Sequence, residues 1–174
     1  MKGYVRYVDG LKTMRPYGLS FLDIELTERC NNDCVHCCIN LPTDDRTAQQ
    51  KEMTASEILD LLRQAVDLGC LQVRFTGGEP LLREDIGKLL EFSSKNIGLF
   101  TGLVTNGILL DKKIGEISKH TDFLAVSFDV NNKQAFNRTR GVDAFEKVKK
   151  NIELAKKMGV EIDLFSVITK ETFE

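Results

Sequence analysis

Apolar residues recur along the chain with two spacings, and the two spacings alternate. An apolar residue at every second position, or a short apolar run, predicts five strands, over residues 21–26, 71–75, 99–104, 123–128 and 160–168. Apolar residues at every third or fourth position predict helices between those strands. Because strands and helices take turns, we expect an α/β fold of parallel strands joined by helical crossovers.

Capping signals locate several of these helices. Thr54 stands three residues before Glu57, which is the spacing of a capping box at the start of a helix. A second helix is predicted over residues 83–94, and Asp111 is expected to cap a short third helix. A long amphipathic helix is predicted after Gly141, with one apolar face made of Phe145, Val148, Ile152 and Ala155.

Weakly patterned segments define the domain organisation. Residues 1–19 are interpreted as an N-terminal lead-in, followed by one core domain over residues 20–174. Residues 39–53 are polar and predict a loop.

The predicted strands are not uniformly apolar, although buried parallel strands usually are. Polar residues occupy alternate positions at Asp23, Glu25, Gln72 and Arg74. We interpret this pattern as a barrel whose inner surface is partly polar and lines a cavity. The alternative is that these strands lie at an exposed sheet edge.

Composition excludes several classes of protein. With 174 residues, 42% of them hydrophobic and 29% charged, the chain fits one soluble globular domain. Its formal charge of −2 gives no reason to expect nucleic acid or an anionic membrane as partner. No apolar run approaches the roughly 18 residues of a membrane span, and the N-terminus lacks the apolar segment of a signal peptide. Five cysteines, clustered and odd in number, favour a reducing cytoplasm.

Four of the five cysteines lie in one short stretch, Cys30 to Cys38, directly after the first predicted strand. Thiolates select zinc, copper(I) or iron–sulfur clusters, and zinc sites usually add a second Cys pair or histidines. Three cysteines on one loop can instead hold three irons of a cubane and leave the fourth iron open. The alternative is a run of packed thiols, but the asparagines and the aspartate between the cysteines suit a polar loop better.

The spacing of Cys30, Cys34 and Cys37, with His36 in the aromatic position, resembles the C-x3-C-x-aromatic-C signature of the radical S-adenosylmethionine (radical SAM) superfamily. Three further stretches resemble later motifs of that superfamily and follow in the same order: Gly77-Gly78-Glu79, Thr105-Asn106-Gly107, and Ser127 with Arg140-Gly141. Taken singly, the glycine motifs are also common turn sequences and the arginines could be surface residues. The resemblance is greatest to members with a SPASM-type extension, many of which modify peptides or build cofactors.

This resemblance implies a partial (β/α)6 TIM-like barrel, with about five β/α units here and without the sixth strand or any C-terminal extension. It implies a [4Fe–4S] cluster on Cys30, Cys34 and Cys37, with S-adenosylmethionine on the open iron. One electron from the reduced cluster would cleave S-adenosylmethionine to methionine and a 5′-deoxyadenosyl radical, which takes a hydrogen atom from the substrate.

The resemblance also assigns the remaining cofactor contacts. The stretch Gly77-Gly78-Glu79 would bind the methionyl amine, with Glu79 offering its carboxylate to the ammonium group. Ser127 and Arg140 would bind the methionyl carboxylate, His36 would meet the adenine, and Thr105-Asn106 would lie near the cofactor. The implied partners are a small-molecule or peptide substrate and a one-electron reductant such as flavodoxin or ferredoxin.

Other interpretations stay open. A non-catalytic zinc or electron-transfer module would use Cys38 as the fourth thiolate beside Cys30, Cys34 and Cys37, and an inactive fragment would fit the missing sixth strand. A flavodoxin-like binding domain would need a glycine-rich phosphate loop after the first strand, and the sequence lacks one. We expect Cys38 to be a spare packed thiol and Cys70 to lie in the core. His120 is expected to cap a helix end.

Overall fold

The computed structural model describes residues 18–39, 41–170 and 172, so most of the predicted lead-in lies outside it. In chain order the first half contains β1 (Phe21–Glu25), β2 (Arg29–Cys30), β3 (Leu41–Pro42), α1 (Arg46–Lys51), α2 (Ala55–Asp67) and β4 (Gln72–Thr76). The second half contains α3 (Ile86–Glu91), β5 (Phe100–Thr105), α4 (Leu110–Ile117), β6 (Phe123–Ser127), α5 (Lys133–Arg140), α6 (Phe145–Lys157) and β7 (Ile162–Phe165). A 3-10 turn covers Pro80–Leu82, and a π turn over Phe92–Asn96 follows α3.

Five strands form one parallel sheet in the order β1-β4-β5-β6-β7. These are the five predicted strands, displaced by one residue at most at their starts except for β7, which is shorter than predicted. Within the described residues the sheet is open, with β1 and β7 at its edges. The predicted α/β class and the partial barrel are therefore confirmed.

The core lies between the helices and one face of the sheet. Strand residues in this buried cluster include Ile24, Val73, Phe75, Leu103 and Val126. Helix residues in the same cluster include Ile58, Leu62, Ile86, Leu89, Ile114, Ile117 and Val148. Because all four strand pairs are parallel, the carboxyl ends of all five strands lie at the same end of the sheet.

The opposite face of the sheet is partly polar, as the alternating pattern predicts. Asp23 accepts two hydrogen bonds from Arg74, at 2.7 and 2.6 Å, and the Arg74 guanidinium lies 5.3 Å from the ring centroid of Phe21. Because Arg74 is on β4, between β1 and β5, the polar positions mark a sheet face and not only an edge.

Two segments differ from the sequence-based prediction. Residues 39–53 are not only a loop, because they contain β3 and α1. The α1 helix begins where the Asp45 carboxylate accepts a hydrogen bond from the Ala48 amide at 2.8 Å, and it buries Ala48 alone. The α5 helix was not predicted; Asn132 caps it through the Ala135 amide at 3.0 Å. Both helices are short and have weak apolar patterns, so their caps were the only sequence signals.

The predictions about helix ends and about Cys70 had mixed outcomes. The capping box of Thr54 and Glu57 is present, and Cys70 is buried as predicted. Asp111 does not cap α4, which begins one residue earlier; Asp111 lies in its first turn. The helix predicted from residue 83 begins only at Ile86. His120 lies in a turn beyond the last residue of α4.

Among the described residues, no helix has both the length and the apolar character that crossing a bilayer requires.

We expect Phe136→Ala to lower the free energy of unfolding by about 3–5 kcal/mol. Phe136 is 1% exposed and its ring lies 5.1 Å from the ring of Phe128 and 5.6 Å from that of Phe145, so truncation leaves a cavity where α5, α6 and the end of β6 meet. Urea unfolding measures the change. Ile168→Ala, at a side chain 73% exposed, is the control and should change stability by less than about 0.5 kcal/mol. Equal effects of the two changes would contradict this packing.

Candidate cofactor site

The predicted site residues meet at the carboxyl end of the sheet. The cysteine loop, residues 30–38, follows β1, and the Gly77-Gly78-Glu79 stretch follows β4. Thr105-Asn106 ends β5, and Ser127 ends β6. In parallel α/β sheets this end is where ligands bind.

Paired glycines hold the entrance of the cysteine loop. The Gly78 amide donates a hydrogen bond to the Thr27 carbonyl at 2.7 Å, and the Glu79 amide donates to the Arg29 carbonyl at 2.9 Å. A Cβ atom on Gly77 would lie 2.5 Å from the Thr27 carbonyl oxygen, and one on Gly78 would overlap the Arg29 carbonyl. The glycines are therefore needed because two backbones come into contact here.

The end of α5 holds the loop from the other side. The amides of Asp33 and Val35 donate to the carbonyls of Arg140 and Thr139, both at 3.0 Å. Gly141 ends α5 with φ of 69°, and a Cβ atom there would overlap the Asp33 carbonyl. The cysteine loop is thus fixed by backbone contacts on both flanks.

N–H groups approach the sulfur of each predicted ligand. Cys30 Sγ lies 3.4 Å from the Asn32 amide and 3.7 Å from Asn106 Nδ2. Cys34 Sγ lies 3.8 Å from Arg140 Nη1, and Cys37 Sγ lies 3.3 Å from the Ile39 amide. Such donors favour the thiolate, which is the form that binds metal, and hydrogen bonds to sulfur are typical of iron–sulfur sites. The donor set fits an iron–sulfur cluster.

Electrostatics at the sulfurs are mixed. Burial raises the pKa of the Cys30 thiol. The pKa of the Cys34 thiol is raised as well, because the effect of burial exceeds those of the positive charge and hydrogen bond of Arg140, which lower it. Cys38 is exposed, so the prediction of a packed thiol is wrong for this residue. The part of the chain that the structure describes contains no group of three His, Cys, Asp or Glu side chains close enough for a single metal ion.

Glu79 faces the protein interior and is fully buried. One carboxylate oxygen accepts from the Leu81 amide at 2.9 Å and from the Thr105 hydroxyl at 2.8 Å; the other accepts from the Asn106 amide at 2.8 Å. Burial raises the pKa of Glu79 to about 7. Its carboxylate therefore binds the end of β5, where the sequence predicted that it would be offered to an ammonium group.

Asn106 connects Glu79 to the cysteine loop. Its Nδ2 donates to Asn31 Oδ1 at 2.7 Å and approaches Cys30 Sγ. Its Oδ1 accepts from the Ile108 amide at 3.0 Å. Thr105 and Asn106 thus join Glu79 to the first cysteine.

A pocket of about 410 Å³ lies beside the loop and is lined by His36, Ser127, Arg140 and residues 164–167. Arg140 is buried and its Nη2 lies 2.7 Å from Asp129 Oδ1. Arg140 Nε and Asp129 Oδ2 are buried without a hydrogen-bond partner among the described residues. A polar ligand in this pocket would meet a guanidinium that still has hydrogen-bonding capacity.

Sequence reasoning assigned no role to two sets of residues at this site. Asp129 follows the end of β6, and that position was the available signal for it. Arg29, Glu52 and Arg83 form a largely buried ion-pair cluster next to the start of the cysteine loop. Because Glu52 lies in a segment predicted as a loop, the sequence offered no signal for this cluster.

A thiol-bearing loop and a partly polar pocket at the carboxyl end of an open parallel sheet define a cofactor-binding domain of the β/α-barrel class. A family profile described as the radical SAM superfamily matches residues 24–174. The chain belongs to the radical SAM superfamily. Members of this superfamily use a [4Fe–4S] cluster and S-adenosylmethionine.

Curated relatives and solved structures agree with this assignment. Molybdenum cofactor biosynthesis protein 1 of Dictyostelium discoideum is 35% identical over 156 residues, which are 87% of this chain and 24% of that protein. The GTP 3',8-cyclase of Clostridium perfringens strain 13 is 32% identical over 159 residues, 88% of this chain and 48% of that enzyme. The chain spans less than half the length of these relatives. Streptococcus suis SuiB bound to S-adenosylmethionine superposes with a TM-score of 0.74 at 25% identity, covering 95% of this chain and 38% of SuiB.

We expect Gly141→Ala to destabilise the chain by at least about 1–2 kcal/mol, the cost of a left-handed backbone for a residue with a Cβ atom. Contact of that atom with the Asp33 carbonyl adds to the cost and displaces the cysteine loop. Gly115→Ala is the matched control, because no atom lies within 4 Å of its new methyl group inside α4, and alanine should stabilise that helix by about 0.5–1 kcal/mol. Urea unfolding of both variants is the measurement; changes of the same sign would contradict it.

Glu79 should make stability depend on pH. Because its pKa is about 7 when folded and ordinarily 4.5, the folded chain binds the proton more tightly than the unfolded chain. The resulting stability is fully present below pH 4.5 and is lost as pH rises through 7. From pH 5 to pH 8 we expect the unfolding free energy of the wild type to fall by about 2–3 kcal/mol relative to that of Glu79→Gln. Parallel pH profiles of the two proteins would contradict this.

Proposed function

We propose that this chain is the core of a radical SAM enzyme that binds a [4Fe–4S] cluster through Cys30, Cys34 and Cys37. The observation that supports it most directly is the cysteine loop itself. Its backbone is fixed on both flanks, and each of the three sulfurs has an N–H group at 3.3–3.8 Å. A loop ordered in this way is suited to a cofactor that needs three thiolates in a fixed arrangement.

The remaining contacts of S-adenosylmethionine are proposed from the residues around the pocket. Arg140 and Ser127 would hold the carboxylate, because the Arg140 guanidinium has an unpartnered Nε in its buried setting and both residues line the pocket. His36 would contact the adenine from the loop. The backbone at Gly77 and Gly78 would receive the amine, since the Glu79 carboxylate is already bound to Thr105 and Asn106.

The chemistry that the bound cofactors would supply is one-electron cleavage of S-adenosylmethionine followed by hydrogen abstraction from the substrate. The protein would bind and orient the cofactors and limit side reactions. A one-electron reductant such as flavodoxin or ferredoxin would serve as partner. Five thiols without a disulfide among the described residues favour the cytoplasm as the location.

The sequence relatives and the structural neighbours suggest different classes of substrate. Curated relatives at 30–35% identity include several GTP 3',8-cyclases, which makes GTP the first substrate to assay. SuiB has a structure bound to the precursor peptide SuiA, at an identity that supports only the shared fold. A small molecule is therefore the favoured substrate class, and a peptide is the alternative.

The rival function is a non-catalytic module in which Cys38 completes a four-thiolate metal site. It predicts that Cys38 is required for metal binding and that S-adenosylmethionine has no effect. Because Cys38 is exposed and directly follows Cys37, replacing it by alanine should leave the rest of the loop unchanged.

Anaerobic iron–sulfur reconstitution followed by electron paramagnetic resonance tests the proposal. We expect the reduced wild type and Cys38→Ala to give a [4Fe–4S]⁺ signal whose g-values shift when S-adenosylmethionine is added. In Cys34→Ala the intensity of this signal should be at least tenfold lower, because one of the three thiolates is missing. Retention of zinc, or a cluster signal that needs Cys38 and ignores S-adenosylmethionine, would favour the non-catalytic module instead.

A further inference from the structure

Glu52 is the centre of a largely buried polar cluster next to the start of the cysteine loop. One carboxylate oxygen accepts from the Thr27 hydroxyl at 2.6 Å and from Arg29 Nε at 2.7 Å. The other lies 3.5 Å from Arg83 Nη1. The side chains of Arg29, Glu52 and Arg83 are only 7–11% exposed, so solvent screens these charges weakly.

Glu52 and its partners come from three separate parts of the chain. Thr27 and Arg29 lie between β1 and the first cysteine. Glu52 itself follows α1, beyond the last cysteine. Arg83 follows the glycine motif and also donates to the carbonyls of Leu26 at 3.2 Å and Met53 at 3.0 Å. The cluster therefore joins the two ends of the segment 27–52, which contains the four clustered cysteines, and links both ends to Arg83.

The charges in this cluster balance. Arg83 makes a second ion pair, with both carboxylate oxygens of Asp85, at 2.8 and 2.7 Å. Arg29 has Glu52 as its ion-pair partner and donates also to the Thr43 carbonyl at 2.9 Å. Removing the Glu52 charge would leave the Arg29 guanidinium buried without an anion, which drives that side chain toward water. Arg29 immediately precedes Cys30, so its displacement would move the first predicted cluster ligand.

We propose that Glu52 is a positioning residue that holds the cysteine loop in its cluster-binding arrangement before the cluster is present. This inference rests on the proposed function, because it concerns the ligands of the same cluster. Glu52 acts through Arg29 and Thr27 and does not itself contact the cofactor. The order that it imposes is a property of the apo chain and can be measured without iron.

Thiol labelling of the apo chain tests the inference. Iodoacetamide labelling, followed residue by residue by mass spectrometry, should be at least tenfold faster at Cys30 and Cys34 in Glu52→Gln than in the wild type. The rate at buried Cys70 should stay within twofold, since Cys70 lies in the core and reports unfolding of the whole chain. Glu91→Gln, at a surface pair with Lys95, is the matched control and should change none of these rates.

A milder variant covers the case in which Glu52→Gln fails to fold. Thr27→Val keeps the shape of a buried side chain but removes the hydroxyl that donates to Glu52 and accepts from the Arg29 amide. We expect labelling at Cys30 to rise about threefold with Cys70 unchanged. Unchanged rates at Cys30 and Cys34 in a folded variant, or rates that rise in parallel with Cys70, would overturn the inference.

The loaded protein provides the second readout. After reconstitution, Glu52→Gln should lose its cluster to a chelator about tenfold faster than the wild type and Glu91→Gln, with Cys70 labelling still low. If the wild type binds no cluster, the proposed function fails, yet the labelling comparison still decides the role of Glu52. If the wild type binds a cluster that the variant retains equally well, the proposed function stands and the inference fails.

Discussion

Close contact between backbones is the constraint on which this site depends. The cysteine loop lies between the glycine motif after β4 and the last turn of α5. At the first contact a Cβ atom would overlap the carbonyls of Thr27 and Arg29, just before the loop, and at the second it would overlap the Asp33 carbonyl. Hydrogen bonds between main-chain atoms then fix the loop without using any cysteine. The thiols are left available, and the polar groups around them come from the ends of other strands.

Buried charge is the second organising element. The Glu79 side chain joins the glycine motif to the end of β5. The Glu52 side chain accepts hydrogen bonds from Thr27 and Arg29, and so joins the two ends of the segment that contains the clustered cysteines. Glu79 is fully buried, and the Glu52 side chain is 11% exposed. Unpaired donors in such places are costly, so these acids restrict the loop more strongly than surface ion pairs could.

The sequence predicted the sheet well, because strand periodicity is a local signal. The grouping of Cys30, Asn106 and Arg140 was implied by the resemblance of their motifs to the radical SAM superfamily, whereas the five strands and the capping box at Thr54 followed from patterns along the chain. Side-chain direction did not, and Glu79 shows why: whether a carboxylate after a strand faces a ligand or the core depends on donors from β5, which no local pattern reports. Short helices such as α1 and α5 were missed because they bury too few apolar residues to show a period.

The Oδ1 atom of Asp129 accepts two hydrogen bonds. It accepts from the Arg140 guanidinium at 2.7 Å and from the Val167 amide, beyond β7, at 2.9 Å. The guanidinium at the pocket and the segment that forms its far wall are therefore anchored to a common point. A displacement of either must strain or break its hydrogen bond to Asp129, so we expect the two walls of the pocket to move together.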